Sequence, residues 1–471
     1  MVPLNKSFKS YVKTSSDLSR AIVVALFWFF LTFPGRAGFD TVLAIKLMRE
    51  GQTTDWWTAW YFRVLQVLTF NGRAIWLFSL VGILTLTLSF LYFIKSIPIS
   101  EKMRSFAFYA TVFSPIFGVF GVTVQHDVFQ TSGLLLLIAL EIRQSRNFEI
   151  SDRSKLTVYT VAFLLMATSH AAVITFALAM IILLIRYRKV AMVFFLSIGF
   201  YLLSTVSAVG IDSSWMKYGK FDSVVLDLKC IAQHPDARIS VSQWDFLETM
   251  LPLETWKEML RCDTLTFMPF KKDLNYKNVG INQEFIKTYL LIALQNPPLW
   301  AQSHIVRTTS ALPPPFFQGP ENMVELDHSK PVGEGANWAL QIGNPVIHPS
   351  IDDPSLKIEV PILHQLDFLL VQSLSFLINQ ASWFWGWSGL WLWPSMLLLF
   401  FTASLGRRMF IDFITYSYPI LSLHLFFVAF GWGPTSRHLQ ITIIVGIFAS
   451  LLLGKMVILK GIKMYRNSSL D

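Results

Sequence analysis

Repeated apolar runs of roughly 15 to 25 residues, separated by short loops that carry lysine and arginine, most limit what this chain can fold into. A helix rising about 1.5 Å per residue needs about 20 such residues to cross a hydrocarbon core of about 30 Å. Closed membrane barrels read instead as short alternating segments, which this sequence lacks. With 53% hydrophobic and 15% charged residues over 471 positions, and a mean hydropathy of +0.50, the chain is too apolar for a soluble globule. The expected fold class is all-α and polytopic, with the lipid bilayer as its surroundings. A net charge of +9 would suggest nucleic acid in a soluble protein. Here the basic residues cluster in short loops, where they act as topology signals, and no nucleic-acid partner is expected.

Lys6, Lys9, Lys13 and Arg20 precede the apolar run AIVVALFWFFLTF. A cleaved signal peptide is the rival reading, but no small-x-small site follows, so an uncleaved first helix with a cytoplasmic amino end is expected. Later clusters at Lys95, Lys102 and Arg104, at Arg143 to Lys155, at Arg186 to Lys189 and at the carboxy terminus then fall on one side. The result is about ten membrane helices with both termini cytoplasmic in the plasma membrane. Residues 1–210 form a module of about seven helices, among them 74–94, 106–123 and 128–142. Residues 211–361 form a helical extracytoplasmic loop region holding SQWDFLETM and LETWKEMLRCD. Residues 362–471 supply about three more helices. Two stretches, 56–70 and 364–379, read as juxtamembrane helices in the interface. Both cysteines, Cys230 and Cys262, lie in the large loop, and the sequence leaves open whether they bridge.

This topology puts two carboxylates just beyond outer helix ends. Asp40 lies in FPGRAGFD with Arg36 beside it, and Asp127 follows His126 in QHD. Either acid could simply cap the next helix. Together, on one face of the membrane, they suit a general base that takes a proton from an acceptor attacking a sugar carbon. Cationic groups for the departing lipid phosphate are available at His170, His304, Arg307, Arg437 and His438, each of which alone reads as a solvated loop residue. HExxH, GxSxG, CxxC and phosphate-cradling glycine loops are absent, which removes zinc proteases, nucleophile-elbow hydrolases and P-loop motors. A transporter would show ionisable residues within its helices or matched broken helices, and neither is expected, although Pro115 and Pro394 interrupt apolar runs.

FPGRAGFD, the following MREGQTTDWW, His126-Asp127 before Val128-Phe129, the Asn-Pro break in FIKTYLLIALQNPPLWAQSHIVRTT and Arg437-His438 in the last outer hairpin together resemble the GT-C class of polytopic membrane glycosyltransferases, in particular a bacterial branch. Where many members carry a lysine before the second acid, this chain has His126. Where many carry histidines and a proline after the first, it has Asp55-Trp56-Trp57. The resemblance implies a GT-C-like fold, a polyprenyl-phosphate-linked sugar donor, a glycan or protein acceptor and inversion at the anomeric carbon. Asp40 is then the first candidate base and Asp127 the second. No cofactor is required, and a divalent cation is the one class left open, with its ligands unknown. Two other readings stay open: a transporter or flippase of lipid-linked sugars, and a polymerase or ligase of surface polysaccharide.

The topology is testable with single cysteines in a background lacking Cys230 and Cys262. An impermeant thiol reagent applied to intact cells is expected to label position 244 and to spare positions 146 and 188. The opposite pattern would invert the topology and remove the outer site with it.

Overall fold

The computed structural model describes residues 4–33, 35, 39–51, 57–146, 148, 150–169, 221–258, 273–279, 282–308, 388–406, 408–430 and 439–468. Every regular element among the described residues is a helix. The first set is α1 (Leu4–Leu31), α2 (Phe39–Arg49), α3 (Ala59–Leu68), α4 (Ile75–Ser96), α5 (Glu101–Val112), α6 (Pro115–Val122), α7 (His126–Ser145) and α8 (Asp152–Met166). The large loop contributes α9 (Asp222–Ala232), α10 (Val241–Glu248), α11 (Leu253–Lys257), a 3₁₀ turn at Tyr276–Asn278, α12 (Gln283–Gln295) and α13 (Pro297–Thr308). The last set is α14 (Ser388–Ser404), α15 (Met409–Phe430) and α16 (Gln440–Ser468).

Two of these helices, Ile75–Ser96 and Met409–Val428, are long and apolar enough to cross a membrane, and Gly389–Ser404 and Ile441–Lys455 are shorter apolar helices. The sequence-predicted sixth and seventh helices and the juxtamembrane stretch 364–379 lie outside the described residues. The stretch predicted as one helix over 106–123 is two. The Ser114 hydroxyl accepts the Phe117 N–H at 3.3 Å and Pro115 occupies the first helical position, so the chain ends one helix and starts another there. A carbonyl exposed by that break, Val112 O, receives the Trp28 indole N–H at 2.8 Å. The stretch predicted as interfacial over 56–70 contains α3, capped by Thr58, whose hydroxyl accepts the Tyr61 N–H at 3.0 Å.

The bundle forms around α7, which packs against α4, α8, α15 and α16 and whose side chains from Asp127 to Ile142 are buried except for Leu136, which is half-buried; Ile138 and Leu140 are enclosed completely. Small residues set the approach of its neighbours. A methyl group on Gly121 would lie 2.2 Å from Ile83 Cδ1, and one on Gly118 would lie 2.1 Å from the Trp28 ring. Helix α6 thus nests on α4 and α1 through two glycines, as close-packed membrane helices do. The outward faces are apolar: Val23, Phe27 and Phe30 on α1 and Phe410, Leu421 and Leu425 on α15 are all exposed.

The loop region between the two sets has a core of its own, built on Val225, Ile231, Leu247, Trp256, Phe285 and Ile292. Helix α10 begins with a capping box in which Ser240 and Gln243 satisfy each other's backbone N–H groups. Trp256, fully enclosed, donates its indole N–H to Leu247 O at 2.8 Å. Asn296 ends α12 and holds the Arg238 backbone through both its amide atoms, accepting from the N–H at 2.6 Å and donating to the carbonyl at 2.9 Å. Cys230 on α9 is disulfide-bonded, and the chain has one other cysteine, Cys262, outside the described residues.

Lys229 is 1% exposed and donates to Trp256 O at 3.1 Å, to Gln233 Oε1 at 3.2 Å and to Glu258 O, so an ammonium closes the carboxy end of α11. Burial pulls its pKa down from 10.5 to about 8, against a partial opposing pull from Glu258. Between those values the unfolded chain binds more protons than the folded one, so stability rises with pH across that window. The melting temperature of the wild-type protein is expected to climb by several degrees between the two values relative to Lys229→Met, which lacks the titrating group. Parallel profiles for the two proteins would show that Lys229 keeps its ordinary affinity for protons.

Candidate functional site

The segments that bear Asp40 and Asp127 are tied together by the fold. After α1 the chain turns at Gly35, whose N–H donates to Thr32 O at 2.7 Å and whose φ of +114° suits a residue without a side chain. A methyl group there would sit 1.9 Å from Ser79 Oγ on α4 and 3.3 Å from Val122 O at the end of α6. The glycine of FPGRAGFD therefore rests on the strip of backbone that leads into QHD. The tie is repeated a few residues on, where the buried Thr41 hydroxyl donates to Val124 O. Asp40 precedes Thr41 in the first turn of α2, and Asp127 stands three residues beyond Val124 in the first turn of α7. An acid in a first turn also complements the positive end of the helix, which is the structural role each could have without chemistry.

Asp127 is 1% exposed, and His126 Nε2 lies 3.4 Å from its Oδ1. The imidazole meets the Tyr61 ring edge to face, with centroids 5.4 Å apart. Its backbone is fixed as well, since the Thr168 hydroxyl at the end of α8 donates to His126 O at 3.2 Å. Trp60, next to Tyr61 on α3, donates its indole N–H to Leu164 O at 2.8 Å and so joins α3 to α8. The site is thus a carboxylate and an imidazole in contact, walled by α3, α8 and the start of α2. Such a pair can accept a proton and spread the resulting charge over two groups. No group of three His, Cys, Asp or Glu side chains able to hold a metal ion forms among the described residues.

The remaining sequence-predicted residues divide. Asp40 has its backbone in α2, but its side chain is outside the described part, as is that of Arg307 in α13. Arg36, His170, Arg437 and His438 lie outside the described residues. His304 is in α13, in the loop region between the two helix sets, where its Nδ1 lies 3.2 Å from Asp227 Oδ2.

Buried acids within helices were missed at the level of sequence, Asp227 and Glu141 among them. Asp227 is 1% exposed in the apolar stretch VVLDLKCIA. Glu141 is 1% exposed in GLLLLIALEIR and accepts the Tyr159 O–H at 2.6 Å, while Gln144 Nε2 donates to the same hydroxyl at 2.9 Å. The expectation that no ionisable group lies within the helices is therefore corrected by Glu141, about 20 Å along α7 from Asp127. A lone acid in an apolar run was the available signal in both cases. The run alone does not disclose the burial, because the partners that enclose each acid lie on other helices. No family model, curated protein or solved structure matches the chain.

The convergence at Gly35 can be probed directly. Gly35→Ala is expected to destabilise the protein by about 1–3 kcal/mol through overpacking, read as a lower melting temperature in detergent. Adding Ser79→Gly should restore part of the loss, because the clash is with that side chain. No recovery would place the cost in the backbone angle instead.

Proposed function

We propose that this chain is a GT-C-like membrane glycosyltransferase that moves a sugar from a polyprenyl-phosphate-linked donor to a glycan or protein acceptor on the outer face of the plasma membrane. The observation that carries this reading is the pair of contacts, Gly35 against Val122 and Thr41 to Val124, that brings the segments bearing Asp40 and Asp127 to one end of the bundle. In a ten-helix arrangement with both termini cytoplasmic, that end faces outward, at the depth where a donor head group lies. Two long apolar helices, further short ones and the exposed apolar faces of α1 and α15 support a bilayer setting.

The chemistry follows from the side chains. The acceptor hydroxyl gives its proton to a carboxylate as its oxygen attacks the anomeric carbon. The bond from that carbon to the phosphate oxygen breaks, and its electron pair leaves with the polyprenyl phosphate. Asp127 is the candidate base whose surroundings are described: His126 touches it and can share the charge. Asp40 remains the alternative base on the adjoining segment. His170, His304, Arg307, Arg437 and His438, together with Arg36, are the candidate contacts for the donor phosphate.

One observation favours a second reading. A buried acid inside a helix, Glu141 among the hydroxyls of Tyr159 and Tyr416 and the amide of Gln144, is the kind of feature that transporters use in ion or proton pathways. On that reading the chain moves a lipid-linked sugar without breaking it.

The two are separated by release of polyprenyl phosphate from polyprenyl-phosphate-glucose and related hexose donors in nanodiscs containing the full chain. Transfer is expected in the wild type and should fall about 10²- to 10⁴-fold in Asp127→Asn, the usual worth of a general base, with donor binding unchanged. If instead Asp40→Asn abolishes transfer while Asp127→Asn does not, the base belongs to the first outer segment. Donor binding without release in any hexose series, together with loss of flipping in Glu141→Gln, would favour transport.

A further inference from the structure

At the end of α4 away from Gly35, a partly open cavity of about 50 Å³ lies between α1, α4 and α5. Its walls carry Asp17 and Arg20 on α1, Lys95 on α4, and Glu101, Arg104 and Tyr109 on α5. Lys95 Nζ lies 2.8 Å from Asp17 Oδ2, and both side chains are part-exposed. Arg104 donates from Nη2 to Ile97 O at 3.4 Å and to Ile99 O at 3.2 Å, in the turn between α4 and α5. Both acceptors are neutral, so these bonds hold the guanidinium in place without cancelling its charge. Arg20 is exposed, one turn along α1 from Asp17. Three cationic side chains thus face two carboxylates, and the balance is positive. The space exceeds what a single water needs and admits a group of the size of a phosphate.

The wall that leads away from this charged mouth is apolar. Tyr109 stacks on Phe113 with centroids 6.2 Å apart, and Phe113 meets Phe27 of α1 edge to face at 5.8 Å. Phe27 and Phe113 are both 48% exposed, and Val23, one turn from Arg20 and one from Phe27, is exposed beside them. A free anion has no use for such a cleft, whereas an amphiphile fills the cavity with its head and the cleft with its tail. Lys95 lies about 24 Å along α4 from Ser79, the residue that Gly35 meets. That separation approaches the hydrocarbon thickness of about 30 Å, so the cavity lies at the opposite bilayer boundary from the segments that bear Asp40 and Asp127.

We propose that this cavity binds an anionic phospholipid, its phosphate held by Arg20, Lys95 and Arg104 and an acyl chain lying along Phe113 and Phe27. Basic side chains between helices at a bilayer boundary recognise lipid phosphates, each raising affinity about fivefold. The inference rests on the bilayer setting and not on sugar transfer, because it uses no residue of the candidate site.

Binding is read by native mass spectrometry of the full chain in detergent, titrated with dioleoyl-phosphatidylglycerol or with zwitterionic dioleoyl-phosphatidylcholine. The wild type is expected to bind phosphatidylglycerol the more tightly. Arg20→Gln should weaken that binding about fivefold, and Asp17→Asn, which removes the acid paired with Lys95, should tighten it by a similar factor. The two changes have opposite signs, so loss of fold explains at most one of them. Phe113→Ser should weaken both lipids. Equal wild-type affinity for the two lipids, or one phosphatidylglycerol affinity shared by wild type, Arg20→Gln and Asp17→Asn, overturns the proposal. Displacement of phosphatidylglycerol by inorganic phosphate at equal concentration overturns it as well, since the cavity is then a free-anion site. So does unchanged lipid binding in Phe113→Ser, which leaves a head-group contact without a tail.

Discussion

Enclosure of α7 is the constraint on which the rest of this structure depends. A helix surrounded by protein along its length must pair its polar side chains internally and must let neighbouring backbones come close. Gly133 meets the second demand, because a methyl group there would lie 2.6 Å from Ala162 O and 3.1 Å from the Met166 N on α8. Ser132 meets the first within its own helix, donating to Val128 O at 2.7 Å. With α8 seated against Gly133, Thr168 at its end reaches His126 O, beside Asp127. The same packing delivers Tyr159 to Glu141 at the other end. One close approach thus sets both polar clusters.

The Glu141 cluster shows how a bundle accommodates an acid it cannot expose. Tyr159 from α8 reaches Glu141, and Tyr416 from α15 pairs with Ser145 on the last turn of α7, so three helices share one set of hydrogen bonds. Arg143 nearby donates to Ser96 Oγ at 2.9 Å and lies over the Tyr92 ring, 4.2 Å from its centroid, which draws α4 into the same region. Such networks are costly to leave half satisfied, and they add a directional constraint to helix packing that apolar contact alone does not supply.

The loop region between the two helix sets solves a different problem with different means. Its short helices cannot bury enough surface singly, so it combines a tryptophan-centred core, a capping box, an asparagine bridge and a disulfide at Cys230. Helix α13 also packs against α15, which joins this region to the apolar bundle on the side that carries His304. Two charged groups, Asp227 and Lys229, are buried two residues apart on α9 and face different partners: hydroxyl, indole-linked and imidazole donors for the first, helix-end carbonyls for the second.

By itself the sequence determined that the chain is helical and where most described helices run, because apolar run length, serine caps and proline at a first turn act over a few residues. The break at Asn296, α4, α7 and the helix in SQWDFLETM were all legible in this way. It also marked FPGRAGFD and QHD as segments of interest, since glycine, proline and an acid after an apolar run are local signals. Only the tertiary structure decided that Gly35 and Thr41 meet Val122 and Val124, because contacts between residues more than 80 positions apart depend on how α4 and α6 cross. It likewise decided that His304 belongs with Asp227, a partner 77 residues away on another helix, and that Glu141 is enclosed by tyrosines. Local propensity is written in neighbouring residues, whereas the partner of a buried charge is chosen by packing, which no short stretch of chain contains.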